Sequence, residues 1–309
     1  MAVKERNANS HPHGHQPGHE KQYRQHHPKH RPMWMQTLMR VFEGPAAKVG
    51  LVMLIIILVL CLGAPLFTQY TVNDMDLLNM NALPSKEHLL GCDSMGRDLW
   101  TRLLYGGRTS IALGILGSLF AAVGGTLVGL VAGYFGGQVD NLIMRFCDVW
   151  SAIPGMLLCM LVASVLGNGF FQTIVALGVG AIPNGARMTR GQILSERTKE
   201  YLEAAESINV SKSGIMIHHL LPNVLSPTLV GTTMGVGGTI MQAASLSYIG
   251  LGVDPLQPEW GAMLSSAKTI FNTYPHEMLY PGLAIGLFVF SINLMGDGLR
   301  DAMDPKLRK

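Results

Sequence analysis

Charge is what this chain has least of. Only 14% of its 309 residues are Asp, Glu, Lys or Arg, while 48% are hydrophobic. Soluble domains carry roughly 25% charged residues, so the balance excludes an ordinary soluble domain and makes lipid the solvent. A net charge of +3, dispersed along the chain, is too small to suggest nucleic-acid binding. The basic residues gather instead in the N-terminal tail and beside apolar runs, where a membrane surface explains them. The four cysteines, Cys61, Cys92, Cys147 and Cys159, have no CxxC spacing, which argues against a disulfide framework. No G-x-x-x-x-G-K-[ST] run is present to cradle ATP phosphates. His218-His219 lacks a neighbouring carboxylate or third ligand and reads as a solvated pair, so no catalytic or metal constellation is assigned and no cofactor is called for.

What is present is a series of apolar runs. Crossing a hydrocarbon core about 30 Å thick takes roughly 20 apolar residues. About six segments qualify: Val49 to Phe67, Ser110 to Tyr134, Leu142 to Leu166, Phe170 to Ala186, Leu225 to Gly250, and Pro281 to Leu299. The fold class is therefore an all-α integral membrane protein. The third segment carries Asp148 and Pro154; the proline removes one backbone donor and should bend the helix, which suits a pore wall or a hinge equally. The fifth is rich in Gly, Thr and Ser, a composition fit for a pore-facing helix. Gly125, Gly129 and Gly133 repeat every four residues and cut a groove along one face of the second, where another backbone can approach.

Residues 1–40 form a His-rich tail with His11, His13, His15, His19, His26, His27 and His30, too polar to bury a core. Its flexibility offers no fixed ligand geometry, so no metal site is assigned. No cleavable signal peptide is evident before the first apolar run. Lys and Arg near helix ends favour an N-in/C-in topology. The inner side then holds the tail, the segment with Arg187, Arg190, Arg197, Lys199 and Lys212, and the C-terminus with Arg300, Lys306, Arg308 and Lys309. The first outer loop dissents with Lys86, Arg97, Arg102 and Arg108, whose charge its acids nearly balance.

The longest inner hydrophilic stretch, residues 187–224, has Tyr201, Leu202, Ala205 and Ile208 at helical spacing. They predict a short amphipathic helix whose other face carries Glu200, Glu203 and Glu206. Ser211 is placed to cap a following helix from Lys212, and Pro222 to end it.

Glu203-Ala204-Ala205, followed by Leu221-Pro222, resembles the cytoplasmic EAA loop of ABC importer permeases. In that family a short helix docks into a groove on the ATP-hydrolysing subunit. The resemblance implies that Glu203, Ala204, Ala205, Asn209, Leu221 and Pro222 build the ATPase-coupling site. Asn209 stands where the family usually has glycine, and asparagine is the side chain that next best tolerates left-handed backbone geometry. Further stretches are similar to the dipeptide, oligopeptide and nickel class, in its second or C-type permease: His88-Leu-Leu-Gly-Cys-Asp-Ser-Met-Gly-Arg-Asp98, Gly106-Gly-Arg-Thr-Ser110, Met144 to Pro154, Ala186 to Gly191, Ser245 to Gly252, Glu259-Trp-Gly261 and Gly296 to Pro305. Together they cover roughly residues 40 to 309.

The resemblance implies a type I ABC importer permease-like fold over residues 41–309, in the cell inner membrane and multi-pass. It implies half of a peptide pathway, no catalysis by this chain, a homologous permease partner, two ATP-binding subunits, an extracytoplasmic substrate-binding protein and membrane lipid, but no nucleic acid. Nickel or metal-chelate uptake by the same machinery is the alternative cargo. An ion-coupled secondary transporter is the alternative class, although no midplane carboxylates or inverted repeat support it. Arg145, Asp148, Asp297 and Arg300 lie near inner helix ends and are expected to pair there or to gate. Trp260, in a broken outer segment, is expected to anchor at the membrane interface.

Overall fold

A computed structural model of the chain describes residues 44–254 and 256–303. The His-rich tail and the basic residues Lys306, Arg308 and Lys309 lie outside the described residues. The first apolar run is α1 (Pro45–Leu62), closed by a single turn, α2 (Ala64–Phe67). A loop with one 3₁₀ turn leads to α3 (Leu99–Phe135), 37 residues long. Next come α4 (Gly137–Ser151), α5 (Gly155–Leu166), α6 (Phe170–Glu196) and the short α7 (Glu200–Ser207). One turn of α8 (Lys212–Gly214) passes through a π-helix (Ile215–Leu220) into α9 (Leu221–Tyr248). The chain ends in α10 (Trp260–Ala267) and α11 (His276–Met303).

All six expected segments are helical. Four helices are long and apolar enough to cross a bilayer: α1, α3, the continuous run Lys212–Tyr248, and His276–Ala302. The third segment, expected as one bent span, is two helices set at 85°. Pro154 has extended backbone (ψ 129°) and offers no N–H, and the residue before a proline is pushed out of the helical region. Counted as one broken span, α4 and α5 bring the total to five. The fourth expected segment is the first part of α6, whose 27 residues extend about 40 Å at 1.5 Å each. Asn184, Arg187 and Arg190 make α6 less apolar than the other four.

Helix α6 packs along α3 more extensively than any other described pair of elements. The glycine groove read from the sequence is the contact line. A Cβ on Gly125 would sit 2.8 Å from the Gly185 backbone, and one on Gly129 would sit 2.5 Å from Ala186 O. The principal core joins Leu54 of α1, Ile111 of α3, Ile240 of α9, Trp260 and Met263 of α10, and Phe288 and Ile292 of α11. All four cysteines are free and buried.

The helix ends fall into two sets. Cys61, at the end of α1, meets Gly107 near the start of α3, and α10 packs there too. Gly50, near the start of α1, packs on Leu294 in the last half of α11. Leu130 of α3, Ile193 of α6, Leu202 of α7 and Val224 of α9 form one buried cluster. The described chain thus enters and leaves the bundle at the end that carries α7.

Candidate functional site

At that end α7 is held by Leu202, which packs against Leu130, Ile193, Ile215 and Leu220, and Ala205 on the same helix is also buried. Its opposite face, with Glu200, Glu203, Ala204 and Glu206, is exposed. Two of the four residues expected on the apolar face are not part of it. Tyr201 is 37% exposed and Ile208, just past the helix end, 78%. The chain turns out of α7 at Asn209 with φ 58°, and helical spacing ceases to predict direction once the backbone leaves the right-handed region.

Ser211 Oγ accepts a bond from Gly214 N at 3.2 Å and so caps α8. Pro222 was expected to stop this helix and instead lies in the first turn of α9. In an α-helix the Pro222 ring would press on the carbonyl four residues back. The preceding stretch is a π-helix, in which Leu221 N–H reaches Met216 O, five residues back. The wider turn relieves the clash, and the helix continues. Leu221 is half-buried and Pro222 exposed on the same surface as α7.

Of the four charged residues expected to pair or gate near the inner helix ends, Asp148 alone has an ion-pair partner among the described residues. Asp148 pairs with Arg187 at 3.3 Å. Arg145, Asp297 and Arg300 are exposed and form no ion pair among the described residues. Their helices, α4 and α11, are not among the pairs that pack extensively. The two-pronged pair here was not singled out from the sequence. Asp140 in the first turn of α4 accepts both Nε and Nη2 of Arg190 on α6. The available signals were an acid one turn after Gly136-Gly137, at a helix start that favours negative charge, and two arginines one turn apart facing Asp140 and Asp148. Asp140→Ala should therefore loosen α4 from α6 and lower stability by roughly 1–3 kcal/mol. Thermal unfolding in detergent will measure it, and a midpoint equal to that of the unaltered protein would refute the assignment.

Between α3, α6 and α9 lies a cavity of about 270 Å³. Asn184, one serine and five threonines, Thr239 among them, supply its polar groups, and its other lining residues are Gly, Ala or Met188. The side of α9 rich in Gly and Thr therefore does border an open cavity, whose wall is mostly apolar with hydroxyl groups set into it.

At the far end the Glu259-Trp260-Gly261 segment is a core feature. Trp260 is 2% exposed and its indole N–H donates to Leu103 O at 2.9 Å. This corrects its expected place at the membrane interface: Gly106 and Gly107 of α3 leave room for α10 to sink into the bundle. The neighbouring His88 to Asp98 motif folds into a cap on α3, with Asp98 accepting from Thr101 N at 2.7 Å and sitting 2.9 Å from His88 Nδ1. Arg97 and Arg102 both face Asp93, at 2.8 and 3.6 Å.

A bundle of membrane-length helices, hollow and hydroxyl-lined within and bearing a water-exposed acidic helix at one end, defines a membrane permease. The chain belongs to the family of binding-protein-dependent transport system inner membrane components, whose profile matches residues 125–309. A second profile, the N-terminal TM domain of oligopeptide transport permease C, matches residues 32–84. The chain is 42% identical over 263 residues to the glutathione transport system permease protein GsiD of Pectobacterium atrosepticum, covering 85% of this chain and 87% of that one. It is 36% identical to the dipeptide transport system permease protein DppC of Alkalihalophilus pseudofirmus, covering 89% and 90%. In fold it is similar to a chain of the MetNI methionine ABC transporter in an inward-facing conformation, with TM-score 0.53, 21% identity, and 66% and 97% coverage. It is thus a multi-pass inner-membrane permease of the ABC importer class, and the ion-coupled alternative falls away.

Proposed function

We propose that this chain forms one wall of a pathway for small peptides, driven by ATPase subunits that dock on α7. The observation that carries this reading is the placement of α7, with Leu202 and Ala205 buried and Glu203 and Ala204 presented to water. An exposed acidic face on a helix fixed to the ends of α3, α6 and α9 suits a basic-rimmed groove on another subunit. Motion of that groove is then passed to the helices that border the cavity.

The His-rich residues 1–40 and the 187–224 segment are assigned to the cytoplasm and the His88 to Asp98 cap to the outside, with both ends of the chain inside. A homologous second permease supplies the other wall, two ATP-binding subunits supply hydrolysis, and a binding protein delivers cargo at the outer end. Peptide is preferred over a metal chelate because GsiD and DppC are named for glutathione and dipeptide transport. The hydroxyl and amide groups that line the cavity suit a cargo carrying backbone amides.

Glu203→Arg tests the docking. The charge reversal should weaken ATPase-subunit binding by at least about tenfold, while the permease elutes unchanged from size exclusion. Undiminished co-purification of the ATPase subunits would sink the coupling role. Uptake in proteoliposomes should need ATP and those subunits; uptake driven by an ion gradient alone contradicts the whole reading.

A further inference from the structure

The covalent route from α7 to α9 is compliant. It passes through Asn209 in the left-handed region, one turn of α8 and the π-helix. The apolar cluster beneath α7 holds it down, but apolar contact is non-directional and lets packed elements slide. A second, polar route bypasses all of this. The side-chain amide of Asn223, in the first turn of α9, donates to His219 O at 2.6 Å and to the Tyr201 hydroxyl at 3.1 Å. Tyr201 in turn donates to Glu196 Oε2 at 2.9 Å, and Lys199 holds the other oxygen of Glu196 at 2.6 Å.

The directions in this chain are fixed by chemistry. The His219 carbonyl only accepts, so the nitrogen of the amide faces it, and its second N–H is left for the tyrosine oxygen. The Tyr201 hydroxyl is pushed up to about 12 by burial and by the Glu196 carboxylate, so it remains a donor at any physiological pH. Asn223 also acts where the backbone ladder is weakest, beside Pro222, which donates nothing, and at the join between π and α geometry.

Building on the coupling role proposed for α7, we infer that Asn223 and Tyr201 form a strap that transmits displacement of α7 directly to α9, a helix that borders the cavity. Neither residue is expected to touch cargo or nucleotide; both act as positioning residues. Without the strap, the compliant linker absorbs the movement.

The test uses the complete transporter, with its ATPase subunits, in nanodiscs, and ATP with vanadate as the probe. Hydrogen exchange across residues 221–235 is compared before and after trapping. Asn223→Ala and Tyr201→Phe should each reduce the trapping-induced change about five-fold, the factor that one net hydrogen bond commands. Both side chains lie on the exposed surface, so the unfolding midpoint should fall by no more than the loss of one such hydrogen bond allows. Asn223→Ala, which lies outside α7, should bind the ATPase subunits as the unaltered chain does, whereas a merely structural role would leave the trapping response of the bound complex unmoved. The double variant should lose no more than either single one, because both cut one path. A full trapping response in either variant, with the ATPase subunits bound, overturns the strap and leaves the coupling helix standing. Failure of the unaltered chain to bind ATPase subunits overturns the coupling helix and the strap with it.

Discussion

Replacing Glu259 with alanine is expected to be among the most damaging single substitutions in this protein. The side chain is fully buried, and its two oxygens accept three bonds. Oε1 takes Gly261 N at 2.9 Å and Ser110 Oγ at 2.8 Å, and Oε2 takes Ala262 N at 2.8 Å. Ser110 Oγ in turn accepts Trp260 N at 3.1 Å. One carboxylate therefore satisfies the free N–H groups that open α10 and ties that helix to α3. Alanine would strand these donors in a dry site, at a cost of roughly 4 kcal/mol. Glutamine retains one acceptor oxygen but turns a donor toward other donors, so it should recover only part of the loss. Thermal unfolding of the purified chain in detergent reads the series. An alanine variant within about 1 kcal/mol of the unaltered protein, the range of ordinary surface substitutions, would refute the assignment.

The second large effect concerns Gly129. A Cβ there would lie 2.5 Å from Ala186 O and 3.0 Å from Arg190 N, both backbone atoms of α6. A flexible side chain can rotate aside, but a helix backbone cannot, so Gly129→Ala must push α6 away from α3. The shift would also carry Arg190 off Asp140. We expect a loss of at least about 3 kcal/mol, the upper range for overpacking, and no folded product from Gly129→Leu. Gly191 is the control. It lies on α6 with open space around its Cβ position, and alanine there should stabilise by somewhat under about 1 kcal/mol through helix propensity. Opposite signs for two glycine substitutions in paired helices would be read by unfolding midpoints and by protease resistance. Equal effects would show that the groove is not the packing surface.

Some of this was legible before any coordinates. Long apolar runs declare themselves because crossing lipid sets both length and composition, and so all six appear as helices. The four-residue glycine period read as a contact groove because a 3.6-residue helix places those positions on one face. Asn209 marked a turn because few side chains accept positive φ. Other readings failed for identifiable reasons. Trp260 next to Pro and Gly reads like an interfacial anchor, and only the neighbouring glycines of α3, about 150 positions away, reveal that it is buried. Pro222 reads like a stop, since a π-helix carries no sequence mark of its own. Arg190 reads like a flanking charge and Asp140 draws no notice, because pairing across helices depends on how those helices are oriented.

The sequence by itself therefore determined the solvent, the order of the apolar segments, the absence of an ATP-binding loop and the family, while the expected six spans became four, or five with the broken pair counted as one. These are properties of composition and local spacing, which the backbone expresses wherever it is placed. Only the tertiary structure decided that Glu259 and Trp260 belong to the core, that Asp140 rather than Asp297 has an arginine partner, that Ile208 faces outward, and that Asn223 reaches Tyr201. Each of those depends on the distance between atoms far apart in the chain. Such distances follow from the packing of all the helices together, through glycine contacts and helix breaks whose angles no local run of residues specifies.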